Sequence, residues 1–220
     1  MKRLYSVFSL FLACCLSTSL LPAQEYPSVN VHDIMTLPAD TINAGSLRSP
    51  MLGDTVWLTG VVTVPTLVNP LNDRRPVLWA SRRWVSFLRD VNLSLNEYAG
   101  INILQADTSD QTNTLFDRVK PGDVIKTLVK ISNFPSGVLG STQVEIIPSS
   151  QIEFVDEVPA PVVAPIPVNI SDFNTGPVAS QTTNFATGSK YVGTLVELHD
   201  VTVVSATTFD YVIADSNGNE

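Results

Sequence analysis

A chain of 220 residues with 44% hydrophobic and 15% charged residues has enough apolar matter for one large domain or two small ones, and this excludes disorder throughout. Its 21 acidic residues outnumber its 13 basic ones, for a net charge of −8; that argues against a broadly basic nucleic-acid surface and leaves only local basic patches open. Fifteen prolines and 11 glycines, with no long apolar run of helical period after the N-terminus, point to short strands joined by turns.

Lys2 and Arg3 precede an apolar run at 4–16, and Leu20-Leu21-Pro22-Ala23 follows. A basic start, an apolar middle and a small residue at the end predict a secretory signal peptide over 1–23, cleaved after Ala23. The run is too short for a membrane anchor. Cys14 and Cys15, the only cysteines, both lie inside it. Phe11-Leu12-Ala13 fits a lipoprotein signal poorly, and lipidation at Cys14 or Cys15 stays open as an alternative. From residue 24 onward there is no cysteine, hence no disulfide and no thiolate metal site. Removing Lys2 and Arg3 from the 13 basic residues leaves 11 against 21 acidic ones, a net charge of −10. The expectation is an exported protein, secreted or at the cell surface, with the periplasm also open.

After a lead-in at 26–41, residues 53–65 form the clearest strand. Val56, Leu58, Gly60, Val62 and Val64 fall on one face and Trp57, Thr59, Val61 and Thr63 on the other. The face without polar side chains is expected to line a core, with Gly60 marking a bulge or bend. A long insertion at 66–82 precedes a second strand at 84–90 and a third at 99–105. Residues 107–114 read as polar loop and 115–119 as one helical turn. Lys120-Pro121-Gly122-Asp123 is a turn signal that launches a fourth strand at 124–134, where Ile125, Val129 and Ile131 alternate with Lys126, Lys130 and Ser132. Pro135-Ser136-Gly137 turns the chain into a fifth strand at 142–147. Three strands, a short helix and two more strands are the order of an OB-fold, a five-stranded all-β Greek-key barrel.

Residues 155–167 hold four prolines and read as a stiff connector. Beyond them the beginning repeats. V-N-V-H-D-I at 29–34 returns as V-N-I-S-D-F at 168–173, and the strand from Gly53 returns as G-T-L-V-E-L-H-D-V-T-V-V-S at 193–205. W-V-S-F-L-R-D at 84–90 returns as F-D-Y-V-I-A-D at 209–215. Three landmarks in one order predict a tandem duplication. The expected organisation is a signal peptide (1–23), a first OB-like module (24–154), a connector (155–167), and the start of a second module (168–220), truncated after about two of five strands.

On W-L-T-G-V-V-T-V, W-V-S-F-L-R-D, A-G-I-N-I-L, V-K-P-G-D-V-I and G-S-T-Q-V-E, the chain resembles the secreted tandem OB-fold-like proteins of Bacteroidetes-type bacteria, an extracellular form of the nucleic-acid-binding OB family. The resemblance covers most of 29–154 and again 168–220. It implies a part of a larger surface or secreted protein, often one ending in a type IX secretion sorting domain or accompanying an extracellular nuclease. Neither domain is visible in the sequence, and the insertion at 66–82 departs from the family's short first hairpin.

The candidate ligand-binding residues are Arg74, Arg75, Trp79, Arg82, Arg83, Trp84 and Arg89, with Phe87 among them. OB barrels bind strands and sugars on the face flanked by such a loop, where arginines meet phosphates and flat aromatics stack on bases. The plainer reading makes Trp84 and Phe87 barrel residues and the arginines a solvated insertion. Trp57 is either a sugar-stacking platform or a ring packed beneath a loop. His32 and His199, the only histidines, stand at non-equivalent positions, which makes a His-based triad or metal site hard to assemble. Asp215–Glu220 hints at a calcium loop, but its glycine falls too early for an EF-hand, and Asn217-Gly218 reads better as a turn. Asp107-Thr108-Ser109-Asp110 likewise reads as turn. No P-loop, Gly-x-Ser-x-Gly or His-Glu-x-x-His motif occurs. The function expected is therefore a non-catalytic binding or spacer module, with no cofactor, metal or catalytic residue. Alternatives are the nucleic-acid-binding region of an extracellular nuclease, taking single-stranded nucleic acid, and a glycan-binding module.

Overall fold

The computed structural model describes residues 25–63, 83–106, 115, 119–137, 140–148, 151–155, 161–208 and 210–220, with the backbone alone of short strands at 67–68, 74–75 and 78–80. The expected signal peptide, the loop at 107–114 and much of the 66–82 insertion lie outside these residues.

The protein is strand-rich, with few and short helices. In the N-terminal region they are β1 (Ser28–Asn30), α1 (Val31–Met35), α2 (Ala39–Asn43), β2 (Thr55–Val62), β3 (Leu67–Val68), β4 (Arg74–Arg75), β5 (Leu78–Ala80), β6 (Arg83–Arg89), β7 (Gly100–Gln105), β8 (Val124–Phe134), β9 (Ser141–Ile146) and β10 (Glu153–Phe154). Strands run within three residues of the expected bounds at every one of the five predicted positions. Leu115 is helical and fully buried.

The sheet runs β1-β2-β6-β7-β9-β8-β10, and β2 pairs with β8 as well. The path β2-β6-β7-β9-β8 therefore returns to β2. Within that ring β7 and β9 run parallel, Ile103 opposite Val144, and every other pair is antiparallel. Inward positions follow the period of two. Val56, Leu58 and Val62 of β2 meet Leu88 of β6, Ile101 and Ile103 of β7, Ile125, Val129 and Ile131 of β8, and Val144 and Ile146 of β9. Val31, Ile34 and Met35 of α1 join the same cluster.

Of the bulge or bend expected at Gly60, the bulge is not seen. The register from Thr55–Lys130 to Val61–Val124 is unbroken, so no bulge is present. A Cβ at Gly60 would instead lie 3.0 Å from Leu88 Cβ and 3.2 Å from the Arg89 carbonyl oxygen. The glycine lets β6 close onto β2 at the point where β2 changes partner.

The C-terminal region holds β11 (Ile166–Val168), a single helical turn at Ile170–Asp172, β12 (Asn174–Thr175), β13 (Thr182–Thr183), α3 (Phe185–Gly188), a turn at Ser189–Tyr191, β14 (Val196–Leu198), β15 (Thr202–Ala206) and β16 (Tyr211–Ala214). β11 runs parallel to β14 with Val168 opposite Leu198. The single strand expected over 193–205 is broken at Asp200, whose φ of 53° ends β14 before β15 begins. β15 and β16 form an antiparallel hairpin, irregular between Val203 and Ser205. Val203, Val204 and Tyr211 on it are exposed. Ile166 and Pro167, expected in the connector, belong to β11.

Candidate functional site

β6 is the strand on which the sequence concentrates its candidate chemistry. Trp84, Ser86 and Leu88 share its inner face, where Leu88 is core and Trp84 packs against the core. Arg83, Val85, Phe87 and Arg89 share its outer face. Opposite Val85, Phe87 and Arg89 stand Leu104, Asn102 and Gly100 of β7. The outer face of this strand pair is largely covered, since Val85, Leu104, Gly100 and Arg89 are all buried.

The structure separates two of the predicted arginines, Arg83 and Arg89, which stand at opposite ends of β6. Arg83 is half-buried at the start of β6, opposite Ala80, and Trp79 of β5 pairs with Trp84. Arg74 and Arg75 lie in β4, paired with Val68 and Leu67. Arg82 lies outside the described residues. Arg89 sits six residues along β6 from Arg83, about 20 Å away at the usual strand rise.

Arg89 is 4% exposed and works inside the protein. Its Nη2 donates to the Leu95 carbonyl at 2.8 Å and the Leu93 carbonyl at 3.3 Å, and its Nη1 reaches the Ala164 carbonyl at 3.5 Å. Burial pulls the guanidinium below its ordinary pKa, and neighbouring Asp90 opposes that shift. A charged group held by backbone carbonyls at this depth organises the 92–97 loop.

Asp90 is equally committed. Its Oδ2 accepts from the His32 amide and its Oδ1 from the Asn92 amide, each at 2.8 Å, tying the end of β6 to the first turn of α1. The His32 ring meets Tyr98 edge-on at 6.5 Å between centroids. His199 lies on the surface beside Glu197, 3.3 Å away. The two histidines are thus not brought together. Trp57, half-buried opposite Leu128, has Lys126 Nζ 5.4 Å from its ring centroid. That cation occupies a ring face a sugar would need.

At the C-terminal end, Asp215 accepts from the amides of Asn217 and Asn219 and from Asn219 Nδ2. These bonds hold its carboxyl below the ordinary aspartate range, Asn219 contributing most. The Asp215–Asn219 backbone pair at 3.0 Å and Gly218 at φ 78° make this stretch a turn. Among the described residues no group of three or more His, Cys, Asp or Glu could hold a metal ion, and no helix is long and apolar enough to cross a membrane.

One set of residues was not anticipated. Glu97, Tyr98 and Gly100 meet Lys190 and Gly193 of the C-terminal region. The only sequence signals there were two glycines whose contacts lie far apart in the chain.

No protein-family model and no curated protein matches the chain. Among solved structures it is similar to a putative aspartyl-tRNA synthetase from Leishmania major Friedlin, at 8% identity and a TM-score of 0.35 over 71% of this chain and 27% of that one. It is also similar to the aspartyl tRNA synthetase from Entamoeba histolytica, at 14% identity and a TM-score of 0.31 over 73% of this chain and 31% of that one. The chain thus spans less than a third of either protein, and likeness at this level says nothing of what it binds.

Proposed function

We propose that residues 28–155 are an OB-type five-stranded barrel acting as a non-catalytic spacer or binding module of an exported multidomain protein, and that residues 166–220 begin a second copy. The observation that carries the spacer reading is Arg89: this candidate arginine, at the end of β6, spends its charge on backbone carbonyls of its own chain. The barrel reading is supported by the return of the strand path to β2 with one parallel pair, and the duplication by the shared register of Val29–Leu58 and Val168–Leu198. Export to the surface or medium, through a type IX route or another, rests on the signal-like residues 1–23 and on the family resemblance.

The test is binding of the chain to single-stranded DNA over a salt series. The spacer reading expects no detectable affinity at low salt. Micromolar binding that weakens steeply with salt and is lost in Arg82→Ala/Arg83→Ala overturns it in favour of the nuclease-associated reading. That second reading has one observation in its favour, the register that sets Trp79 opposite Trp84 beside Arg83. A glycan array in which Trp57→Ala or Trp79→Ala abolishes a signal supports the glycan-binding alternative.

A further inference from the structure

We infer that residues 97–101, where the chain enters β7, are the seat on which the chain's own residues 189–194 dock, so that the two regions move as one stiff body. This goes beyond the spacer reading, which is equally compatible with modules swinging on a proline connector.

The central contact is between two backbones. A Cβ on Gly100 would run into the Gly193 carbonyl and the Thr194 amide. A Cβ on Gly193 would lie 2.8 Å from the Ile101 amide nitrogen and 2.9 Å from the Gly100 carbonyl carbon. Only glycine on both sides permits this approach, and Gly193 also needs it for its φ of 73°. Around this contact the remaining bonds converge. The Tyr98 amide donates to the Lys190 carbonyl at 2.6 Å, and Lys190 Nζ sits 2.9 Å from Glu97 Oε1. Tyr98 holds a φ of 54°, a left-handed conformation that a non-glycine residue keeps only where its surroundings enforce it. Val192 packs against the hydrophobic core of the N-terminal region.

The connector lies beside the same seat, against Arg89, which stands opposite Gly100. Arg89, Leu93 and Asn96 form one wall of a crevice whose other wall is residues 162–167, and Arg89 Nη1 reaches the Ala164 carbonyl across it. Arg89 thus shapes the 92–97 loop that presents Glu97 and Tyr98, and touches the chain that leads to the second region. A ligand approaching the Gly100 end of β7 would meet residues 189–194 of the same molecule.

Two measurements on the full chain test the inference. Zero-length carbodiimide coupling of the unmodified protein should join Glu97 to Lys190, read by peptide mass spectrometry. Absence of that cross-link, with other acid–lysine couplings formed, overturns the docking. Hydrogen exchange should then show the Tyr98 amide protected, and Gly100→Ala should speed its exchange at least tenfold while the Ile131 amide stays protected. An unprotected Tyr98 amide in the unmodified protein, or no change on Gly100→Ala, overturns the inference. Neither readout depends on ligand binding, so a failed docking test and a failed spacer reading are distinguishable.

Discussion

The parallel pairs β1–β2 and β11–β14 are built alike and surrounded differently. Val29 stands opposite Leu58 in one and Val168 opposite Leu198 in the other. Each short strand has an asparagine at or just past its end whose amide donates to an aspartate three residues on, Asn30 to Asp33 and Asn169 to Asp172, both at 2.8 Å. Each begins a helical turn with a buried Val31 or Ile170. A glycine of positive φ precedes each partner strand, Gly53 and Gly193. The difference is cover. Leu58 is fully buried beneath β8 and α1, whereas Leu198 is half-buried and the following hairpin leaves Val203, Val204 and Tyr211 exposed. Local chemistry repeats wherever its residues repeat; burial depends on what else the chain brings.

The sharpest way to break that comparison is to truncate the paired leucines. Leu58→Ala should cost about 2–5 kcal/mol in urea unfolding, because its cavity is walled on every side. Leu198→Ala, already half open, should cost less than about 2 kcal/mol, read as faster exchange confined to β14. Equal losses would mean the two regions are equally packed.

The next contrast is at the point where the two partner strands diverge, Gly60 in one and Asp200 in the other. Gly60→Ala adds a methyl against Leu88 and the Arg89 carbonyl, and should lower stability by about 1–3 kcal/mol. Asp200→Gly relieves a left-handed aspartate and should raise it by up to about 1 kcal/mol, measured as the shift in melting temperature. A destabilising Asp200→Gly would show that its conformation is held by more than sterics.

Smaller still are the caps. Asp33→Ala and Asp172→Ala should each cost about 0.5–1 kcal/mol and speed amide exchange at Asn30 and Asn169 to a similar degree. A large disparity would show that the matching geometry hides unequal energetics.

The smallest effect is in acid. Asp215 has its carboxyl held below the ordinary value of about 3.9 by Asn219 and Asn217. A depressed carboxylate stabilises fully above the unfolded value and loses that contribution as pH falls through the folded one. The Asn217 and Asn219 amide resonances should therefore move with a midpoint below about 3.9. A midpoint at or above it would mean the turn does not hold the carboxylate.

Alternation of apolar and polar residues made β2 and β8 readable, because a strand exposes its two faces with a period of two. Lys120-Pro121-Gly122-Asp123 was readable for the same local reason, and the Lys120 amide bonds Asp123 Oδ2 within it. The β1 and β11 strands were not, since three residues carry no period. The arginine cluster misled in one respect: Arg89 shares composition and neighbourhood with Arg83, and nothing in the string of letters distinguishes a guanidinium facing water from one facing Leu93 and Leu95.

The sequence by itself determined β2, β6, β7, β8 and β9, the turn that launches β8, and the likeness of residues 29–34 to 168–173, all of which rest on neighbours within a few positions. Only the tertiary structure decided that β7 lies parallel to β9, that Gly60 yields to Leu88 rather than bulging, and that Gly100 meets Gly193. Those contacts join residues 28 to 93 positions apart, where the outcome is set by which surfaces remain to be covered once every local preference has been met.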